Sequence, residues 1–165
     1  MAKVLYFTSA MNNEDYKGYL SLWNVPPNLS NQNFHNKFIR SLAISQQVEA
    51  ISVRPINSNF KAKTLHCASK LENNITWNYI KVSSYKVDKL LNLNVRIQKA
   101  VIGKATKESI IFVDVLNRTL LKSSLRVAKK YGCKVIGICT DNPQNISFVN
   151  KNYANEVLSL SKKPP

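Results

Sequence analysis

Residues 109–143 decide the fold of this chain: SIIFVDVLNRTLLKSSLRVAKKYGCKVIGICTDNP. Two short apolar runs, residues 110–113 and 135–139, are rich in β-branched side chains, and each leads into an aspartate. Between them lies a segment with helical periodicity that ends at a glycine. Continuous apolar runs of this length are typical of strands buried on both faces, and a helical connection makes the two strands parallel. The stretch therefore predicts a right-handed βαβ unit of an α/β protein.

The two aspartates, Asp114 and Asp141, are the first candidate site residues. Because parallel strands end at the same edge of a sheet, where open α/β sheets bind ligands, we expect both carboxylates at that edge. On neighbouring strands they would lie about 5 Å apart. Two interpretations stay open: a ligand contact, or capping, with Asp114 or Asn117 starting the helix and Asp141 forming a turn before Pro143.

The rest of the chain continues the alternation of strands and helices. Strands are predicted over 3–9, 48–56 and 75–82, and helices over 31–47, 87–106, 118–131 and 147–161. Residues 10–29 are predicted as a long loop, and 65–71 as a short helix in a polar segment. In the helix over 31–47, an apolar stripe predicts the face that packs on the sheet: Phe34, Phe38 and Leu42, with Ile39 and Ala43 on the adjacent row.

This order predicts a Rossmann-like, doubly wound and mostly parallel sheet flanked by helices, in a single domain over residues 1–165. A further strand is expected where the chain ends, so the sequence is interpreted as a truncated fragment of a larger chain. The N-terminus lacks a signal peptide and no apolar run approaches the roughly 18 residues of a membrane span, which favours a cytoplasmic location. The three cysteines show no metal-binding spacing, so they are interpreted as structural and no metal is expected.

The formal net charge of +15 indicates an anionic partner. Part of it lies on the helix over 118–131, where five cations share one face: Arg118, Lys122, Arg126, Lys129 and Lys130. Three interpretations stay open for this face: a solvated surface, a surface held against an anionic membrane, and a nucleic-acid contact. Each Lys or Arg near an anionic membrane contributes about 1 kcal/mol. Nucleic acid is the least favoured partner because no RNA-binding or helix-turn-helix motif is present.

The end of the first strand and the start of the first helix supply further polar candidates, Ser9, Asn31 and Asn33. Free N–H groups at a helix N-terminus attract phosphates or sugar hydroxyls. The glycine-rich motifs of dinucleotide and P-loop sites are missing, so those functions are not indicated. His35 has no carboxylate or cysteine at a diagnostic spacing and is predicted to be a surface or packed histidine.

Taken together, several segments resemble the N-terminal half of a family 4 glycosyltransferase of the GT-B fold. They are KVLYFTS (3–9), NQNFHNKFIRSL (31–42), AISVRPI (50–56), SIIFVDVLN (109–117) and KVIGICTDNP (134–143). The resemblance runs along the full chain. It implies two Rossmann-like domains facing each other across a cleft, of which the first binds the acceptor and the second binds the nucleotide-sugar donor.

The resemblance further implies a role in the synthesis of cell-surface polysaccharide or glycolipid, at the inner face of the plasma membrane. A sugar or a lipid-linked sugar would be the acceptor, bound in a cleft lined by Ser9, Asn31, Asn33, Asp114, Asn117 and Asp141. The nucleotide-sugar donor would bind to a C-terminal domain, and no cofactor is expected in this chain. By itself the chain would be part of a hexosyltransferase and would not transfer sugar. No catalytic residue is assigned.

A second resemblance indicates a different class of protein. Residues 123–143 also resemble the end of a phosphosugar-binding sugar-isomerase domain, which is a binding module. Such domains need a Ser/Gly/Thr-rich phosphate loop after a strand, and the corresponding stretch here, VDVLNRT (113–119), has no glycine. A phosphosugar-binding module is therefore the alternative, followed by a basic nucleic-acid-binding domain.

Overall fold

The computed structural model describes residues 3–27 and 30–140, without the side chains of residues 86, 87 and 89–91. The described elements, in chain order, are β1 (Val4–Thr8), α1 (Asn13–Ser21), α2 (Ser30–Leu42), β2 (Val48–Ser52), β3 (Thr64–Leu65), β4 (Lys70–Glu72), β5 (Ile75–Tyr79), β6 (Val82–Ser83), α3 (Lys86–Ala100), β7 (Ile110–Asp114), α4 (Arg118–Tyr131) and β8 (Lys134–Ile138). Asp141 and the predicted helix over 147–161 lie outside the described residues.

A six-stranded sheet in the order β4-β5-β2-β1-β7-β8 forms the centre of the fold. Five of its strands are parallel, and β4 alone in this sheet runs antiparallel, to β5. The strand order reverses between β1 and β7, because the chain builds β2 and β5 on one side of β1 and then crosses through α3 to the other side. The protein therefore has a mixed α/β fold with a mostly parallel sheet flanked by helices, compatible with a Rossmann-like fold.

Helices cover both faces of the sheet. Alternate residues of β1 point to opposite sides, so Leu5 and Phe7 join one apolar cluster and Tyr6 joins the other. The first cluster includes buried side chains of α3 and α4, and the second includes Ile39 of α2 together with Trp77 of β5. All five residues of β1 are buried, as the continuous apolar run predicts.

The ends of α4 follow directly from the sequence. The Asn117 side chain accepts a hydrogen bond from the Leu120 N–H at 3.2 Å and so caps the helix. At the other end Gly132 takes a left-handed conformation with φ 72°, and its N–H donates to the Ala128 carbonyl at 2.8 Å. A residue with a Cβ is strained at this φ, so the glycine ends the helix where predicted.

Helix α1 lies within residues 10–29, where a loop was predicted, and that prediction is wrong. The Asn12 side chain caps the helix by accepting a hydrogen bond from a first-turn N–H at 2.9 Å. Tyr16 and Tyr19 are buried and hold the Arg54 guanidinium 4.9 Å from each ring centroid. Tertiary packing therefore stabilises a helix whose apolar pattern is weak.

The short helix predicted over 65–71 is also absent from the described structure, because part of this segment pairs as strands. Strand β3 pairs with β6, and β4 forms a hairpin with β5. Asn73 in the hairpin turn has φ 51°, a left-handed conformation that asparagine tolerates better than most residues. Strand β4 thus continues the six-stranded sheet at its edge, whereas β3 and β6 form a separate two-stranded sheet.

The predicted face of α2 packs on the sheet through Ile39 and Ala43, with Phe38 and Leu42 partly buried beside them, and the prediction is wrong only at Phe34. Phe34 is 43 % exposed, whereas the polar residues Gln32, His35 and Asn36 are buried. The Gln32 side chain pairs with the backbone N–H and carbonyl of Met11 at 3.0 and 2.8 Å. The buried face of α2 therefore extends beyond its apolar stripe to polar side chains, which satisfy the backbone that follows β1.

A buried carboxylate lies on β2. Lys104 donates to Glu49 Oε2 at 2.6 Å, Lys3 lies 3.1 Å from Oε1, and Asn78 donates to Oε2 at 2.8 Å. Burial acts to raise the pKa of Glu49, but the hydrogen bonds from Lys104, Asn78 and Lys3 outweigh it and hold the pKa below its ordinary value. The pair of lysines therefore keeps this glutamate ionised inside the fold.

No helix within residues 3–27 and 30–140 is long and apolar enough to cross a membrane.

Candidate functional site

Asp114 ends β7 at the carboxyl edge of the sheet and is 1 % exposed. Its Oδ1 accepts a hydrogen bond from the Leu116 N–H at 3.0 Å, and its carbonyl accepts one from the Asn117 N–H at 3.2 Å. Its Oδ2 accepts one from Asn31 Nδ2 at 3.3 Å. The carboxylate therefore fixes the turn between β7 and α4 and also contacts the start of α2.

His35 and Tyr6 complete a buried group of polar side chains around this carboxylate. His35 Nε2 lies 3.5 Å from Asp114 Oδ2, and His35 Nδ1 lies 2.7 Å from the Tyr6 hydroxyl oxygen. The histidine is fully buried. We call Tyr6, Asn31, His35 and Asp114 the α2-side cluster.

The protonation state of Tyr6 follows from burial. Burial raises the pKa of Tyr6 and the Asp114 charge raises it further, so the phenol stays protonated. A protonated Tyr6 donates to His35 Nδ1, which places the proton of a neutral imidazole on Nε2, toward Asp114. Among the described residues, His35 Nε2 and Asn31 Oδ1 are buried without a hydrogen-bond partner.

A cleft of about 260 Å³ opens at the same edge of the sheet, on the face covered by α3 and α4. Its apolar lining residues are Val53, Pro55, Ile56, Val82 and Leu93. Its polar groups are Ser83, Asp88, Arg96, Asn117 and Thr119. Asn117 and Thr119 come from the start of α4, so the turn that Asp114 fixes also shapes this cleft.

A charge pair forms one wall of the cleft. Arg96 donates to both oxygens of Asp88, with Nη1 to Oδ2 at 2.8 Å and Nη2 to Oδ1 at 2.6 Å. These hydrogen bonds hold the pKa of Asp88 below its ordinary value. Arg96 also donates to the Lys81 carbonyl at 3.1 Å, which fixes the guanidinium. This wall therefore presents both hydrogen-bond donors and acceptors, and the charges of Arg96 and Asp88 cancel.

The predicted site residues fall into separate places. Asn31 and Asp114 are in contact, and Asn117 lines the cleft. Ser9 is buried, and its carbonyl accepts a hydrogen bond from Arg54 at 3.1 Å. Asn33 is exposed, because it lies two residues after Asn31 and so on another side of α2. Asp141 lies outside the described residues.

Tyr6 and His35 were missed as partners of Asp114, although a signal for them existed. Asn31 and His35 are four residues apart, so they share one face of α2. Tyr6 shares a β1 face with Val4 and Thr8, and that face packs on α2. The sequence distance between β1, α2 and β7 hid the cluster. His35 is packed, as predicted, but it faces a carboxylate.

The cationic side chains of α4 lie on its outer face. Arg118, Arg126, Lys129 and Lys130 are exposed, and Lys122 is half-buried. The opposite face buries Leu120, Leu121, Ser123, Ser124 and Val127. The predicted cationic face is therefore a surface of the molecule.

Comparison of the chain with protein-family models, with curated proteins and with solved structures found no match. Within residues 3–27 and 30–140, no group of three or more His, Cys, Asp or Glu side chains is placed to hold a metal ion.

Proposed function

We propose that this domain binds the sugar acceptor of a nucleotide-sugar-dependent glycosyltransferase that builds cell-surface polysaccharide or glycolipid. The observation that carries the proposal is the cleft of about 260 Å³ at the carboxyl edge, which is lined by both apolar and polar side chains. A sugar ring has apolar C–H faces and a rim of hydroxyl groups, so it matches both surfaces. The volume lies below the 300–1,000 Å³ of drug-sized sites, which favours a ligand as small as one sugar unit.

The neutral polar groups of the cleft are of the types that form hydrogen bonds with sugar hydroxyls. Ser83 and Thr119 can donate or accept, and the Asn117 side chain, which caps α4 through its oxygen, keeps its N–H₂ group for a ligand. In this proposal the sheet is doubly wound and forms one half of a GT-B enzyme. A second domain would bring the nucleotide sugar to the cleft, and transfer would depend on positioning and on electrostatic stabilisation.

The charge of the cleft favours a neutral sugar over a phosphosugar. Among the described lining residues, Arg96 is the one cation, and its charge is balanced by Asp88 through two hydrogen bonds. A phosphate would have to compete with that carboxylate for the guanidinium. The alternative function, a phosphosugar-binding module, therefore has less support from this site.

Titration with octyl glucoside, followed by amide NMR, tests the proposed function. We expect shifts at Ser83, Asn117 and Thr119, with the octyl chain acting as a stand-in for a lipid-linked acceptor. Thr119→Val removes one neutral hydrogen bond and should weaken binding roughly threefold to tenfold. Thr76→Val is the matched control, since Thr76 lies on β5 away from the cleft lining, and it should leave the affinity unchanged.

Glucose phosphate serves as the opposing ligand in the same experiment. Binding of glucose phosphate with no binding of octyl glucoside would replace this proposal by the phosphosugar-binding module. Shifts that appear with octyl glucoside but lie away from the cleft would also count against the site.

The cationic face of α4 supports a second part of the proposal, attachment to an anionic membrane. We expect the protein to pellet with vesicles that contain phosphatidylglycerol and to stay in solution with phosphatidylcholine alone. Replacement of Arg126, Lys129 and Lys130 by glutamine should weaken vesicle binding about a hundredfold, at about 1 kcal/mol for each cation.

A control variant with the same loss of charge isolates the face from the net charge. Replacement of the exposed Lys37, Lys61 and Lys63 by glutamine should reduce binding much less. Equal losses in the two triple variants would mean that overall charge, and not the α4 face, drives the attraction. Tighter binding to duplex DNA than to the vesicles would favour the nucleic-acid alternative.

A further inference from the structure

Asp114 connects two places on opposite faces of the sheet. On one face it contacts Asn31 and lies 3.5 Å from His35 Nε2. On the other face its Oδ1 and its carbonyl bind the N–H groups of Leu116 and Asn117, in the turn that leads into the cleft. A single buried side chain thus belongs to the α2-side cluster and to the support of the cleft.

We propose that Asp114 is a positioning residue that transmits the protonation state of His35 to the cleft. The inference concerns the conformation of the cleft and rests on the proposed function only where the affinity for a glycoside is measured.

The α2-side cluster is incompletely hydrogen-bonded when His35 is neutral. At 3.5 Å, His35 Nε2 and Asp114 Oδ2 are too far apart for a normal hydrogen bond. Within the described residues, Nε2 is buried and has no other partner. A polar atom in this state is costly, so a change that gives it a partner is favoured.

Protonation of His35 supplies that change. Both ring nitrogens then carry a proton, and the Tyr6 hydroxyl turns to accept from Nδ1 instead of donating to it. The charged Nε2–H attracts the Asp114 carboxylate, and charge-assisted hydrogen bonds of this kind are about 2.8 Å long. Asp114 and α2 would therefore move closer together by several tenths of an ångström.

The groups around His35 leave Asp114 as the receiver of this charge. Tyr6 faces the ring from β1 and Asp114 faces it from β7, while α2 itself contributes Asn31 beside the carboxylate. Asp114 is the one carboxyl group among them, and burial keeps the Tyr6 phenol protonated. The attraction to charged His35 therefore acts on Asp114, which fixes the turn between β7 and α4.

Hydrogen bonds of Asn117 connect a small shift of Asp114 to the residues that line the cleft. The Asn117 carbonyl accepts a hydrogen bond from the Leu121 N–H at 2.9 Å, and the Asn117 side chain accepts one from the Leu120 N–H. Asn117 and Thr119 both line the cleft. Because Asp114 binds the Asn117 N–H, movement of Asp114 reaches the lining through one backbone hydrogen bond.

A pH titration by NMR tests the proposal on the full chain. As the pH changes, the Asn117 and Thr119 amide signals should move with the same midpoint as the His35 ring signals. In His35→Gln that transition should vanish from both amides. His66→Gln removes the other, exposed histidine and should leave it in place. Octyl glucoside affinity should change severalfold across the same midpoint.

Two further variants separate a charge effect from a purely structural one. Asp114→Asn should abolish the amide transition while His35 still titrates. The double variant Asn31→Asp/Asp114→Asn exchanges the two side chains, so that residue 114 can donate a hydrogen bond to residue 31. The carboxylate then lies on α2, the helix that carries His35, and no longer at the end of β7. This double variant should regain stability without regaining the transition. If Asp114 had a merely structural role, the stability and the amide transition would both return in the double variant.

Three results would overturn the proposal. They are cleft amides that stay fixed while His35 titrates, a His35 ring that stays neutral until the domain unfolds, and a transition that returns in the double variant. Amides that follow His35 in a protein that fails to bind octyl glucoside would refute the proposed function and leave this inference standing.

Discussion

Glutamine in place of Glu49 is expected to lower the free energy of unfolding at neutral pH by about 2 kcal/mol. Glu49 is 8 % exposed and receives hydrogen bonds or ion pairs from Lys104, Lys3 and Asn78. Glutamine keeps the shape but removes the negative charge, which leaves two lysine charges close together. Urea unfolding of the variant and the parent protein measures the difference.

The pH dependence of this difference has a definite sign. The pKa of Glu49 in the folded state lies below its ordinary value of 4.5, so its charge stabilises the fold above that pH. The stabilisation is lost as the pH falls through the lowered pKa, because the Glu49 carboxylate binds a proton more tightly in the unfolded chain than in the folded one. The parent protein and the Glu49→Gln variant should therefore become equally stable in acid.

Glu14→Gln is the matched control for this prediction. Glu14 also binds a lysine, Lys70, but its side chain is 80 % exposed. Its replacement should leave the free energy of unfolding nearly unchanged, since exposed ion pairs contribute little. A Glu49→Gln variant as stable as the parent at neutral pH would contradict the role given to this buried cluster.

Alanine in place of Gly137 is expected to destabilise the protein by about 1–3 kcal/mol. A Cβ at this position of β8 would lie 2.7 Å from Val115 Cγ1, and Val115 is itself buried. The branched valine cannot move aside without disturbing the core, so the strain falls on the pairing of β7 with β8. Chemical unfolding measures the loss.

A double variant identifies the clash as the cause. Val115→Ala removes the methyl group in question, so Gly137→Ala should cost much less in that background than in the parent. Gly18→Ala is the matched control, because the Cβ it would add in α1 has no atom of the other described segments within 4 Å. That change should stabilise the helix by roughly 0.5–1 kcal/mol. Independent, additive losses at Gly137 and Val115 would refute the clash.

Local signals were sufficient for the second half of the sheet. The cap at Asn117 and the left-handed turn at Gly132 are read from neighbouring residues, and they set the bounds of α4. The apolar runs on either side then had to be parallel strands, as β7 and β8 are. Such elements are predictable because each signal lies within a few residues of the structure that it determines.

Elements that depend on distant partners were not predictable in the same way. Helix α1 is stabilised by Tyr16 and Tyr19 around Arg54, which comes from beyond β2. The burial of Gln32 and Asn36 on α2 depends on the backbone of Met11, with which their side chains form hydrogen bonds. Propensity and apolar periodicity do not register such contacts, since they describe one segment at a time.

The candidate site shows the same division. Asp114 and Asn117 could be recognised because polar residues at the end of a strand and the start of a helix are conspicuous in sequence. The link from Asp114 to His35 and Tyr6 required three separate segments to be placed side by side. Asp88 and Arg96 became visible as one wall of a cleft only through the fold of α3.

The two apolar layers on either side of the sheet each contain one of the chain's two tryptophans. Trp23 packs against Tyr19 and Phe60 in one layer, and Trp77 is fully enclosed in the other. Each layer thus has its own intrinsic fluorophore. With Trp23→Phe or Trp77→Phe, the remaining indole emission reports whether its half of the molecule melts together with the other half or ahead of it.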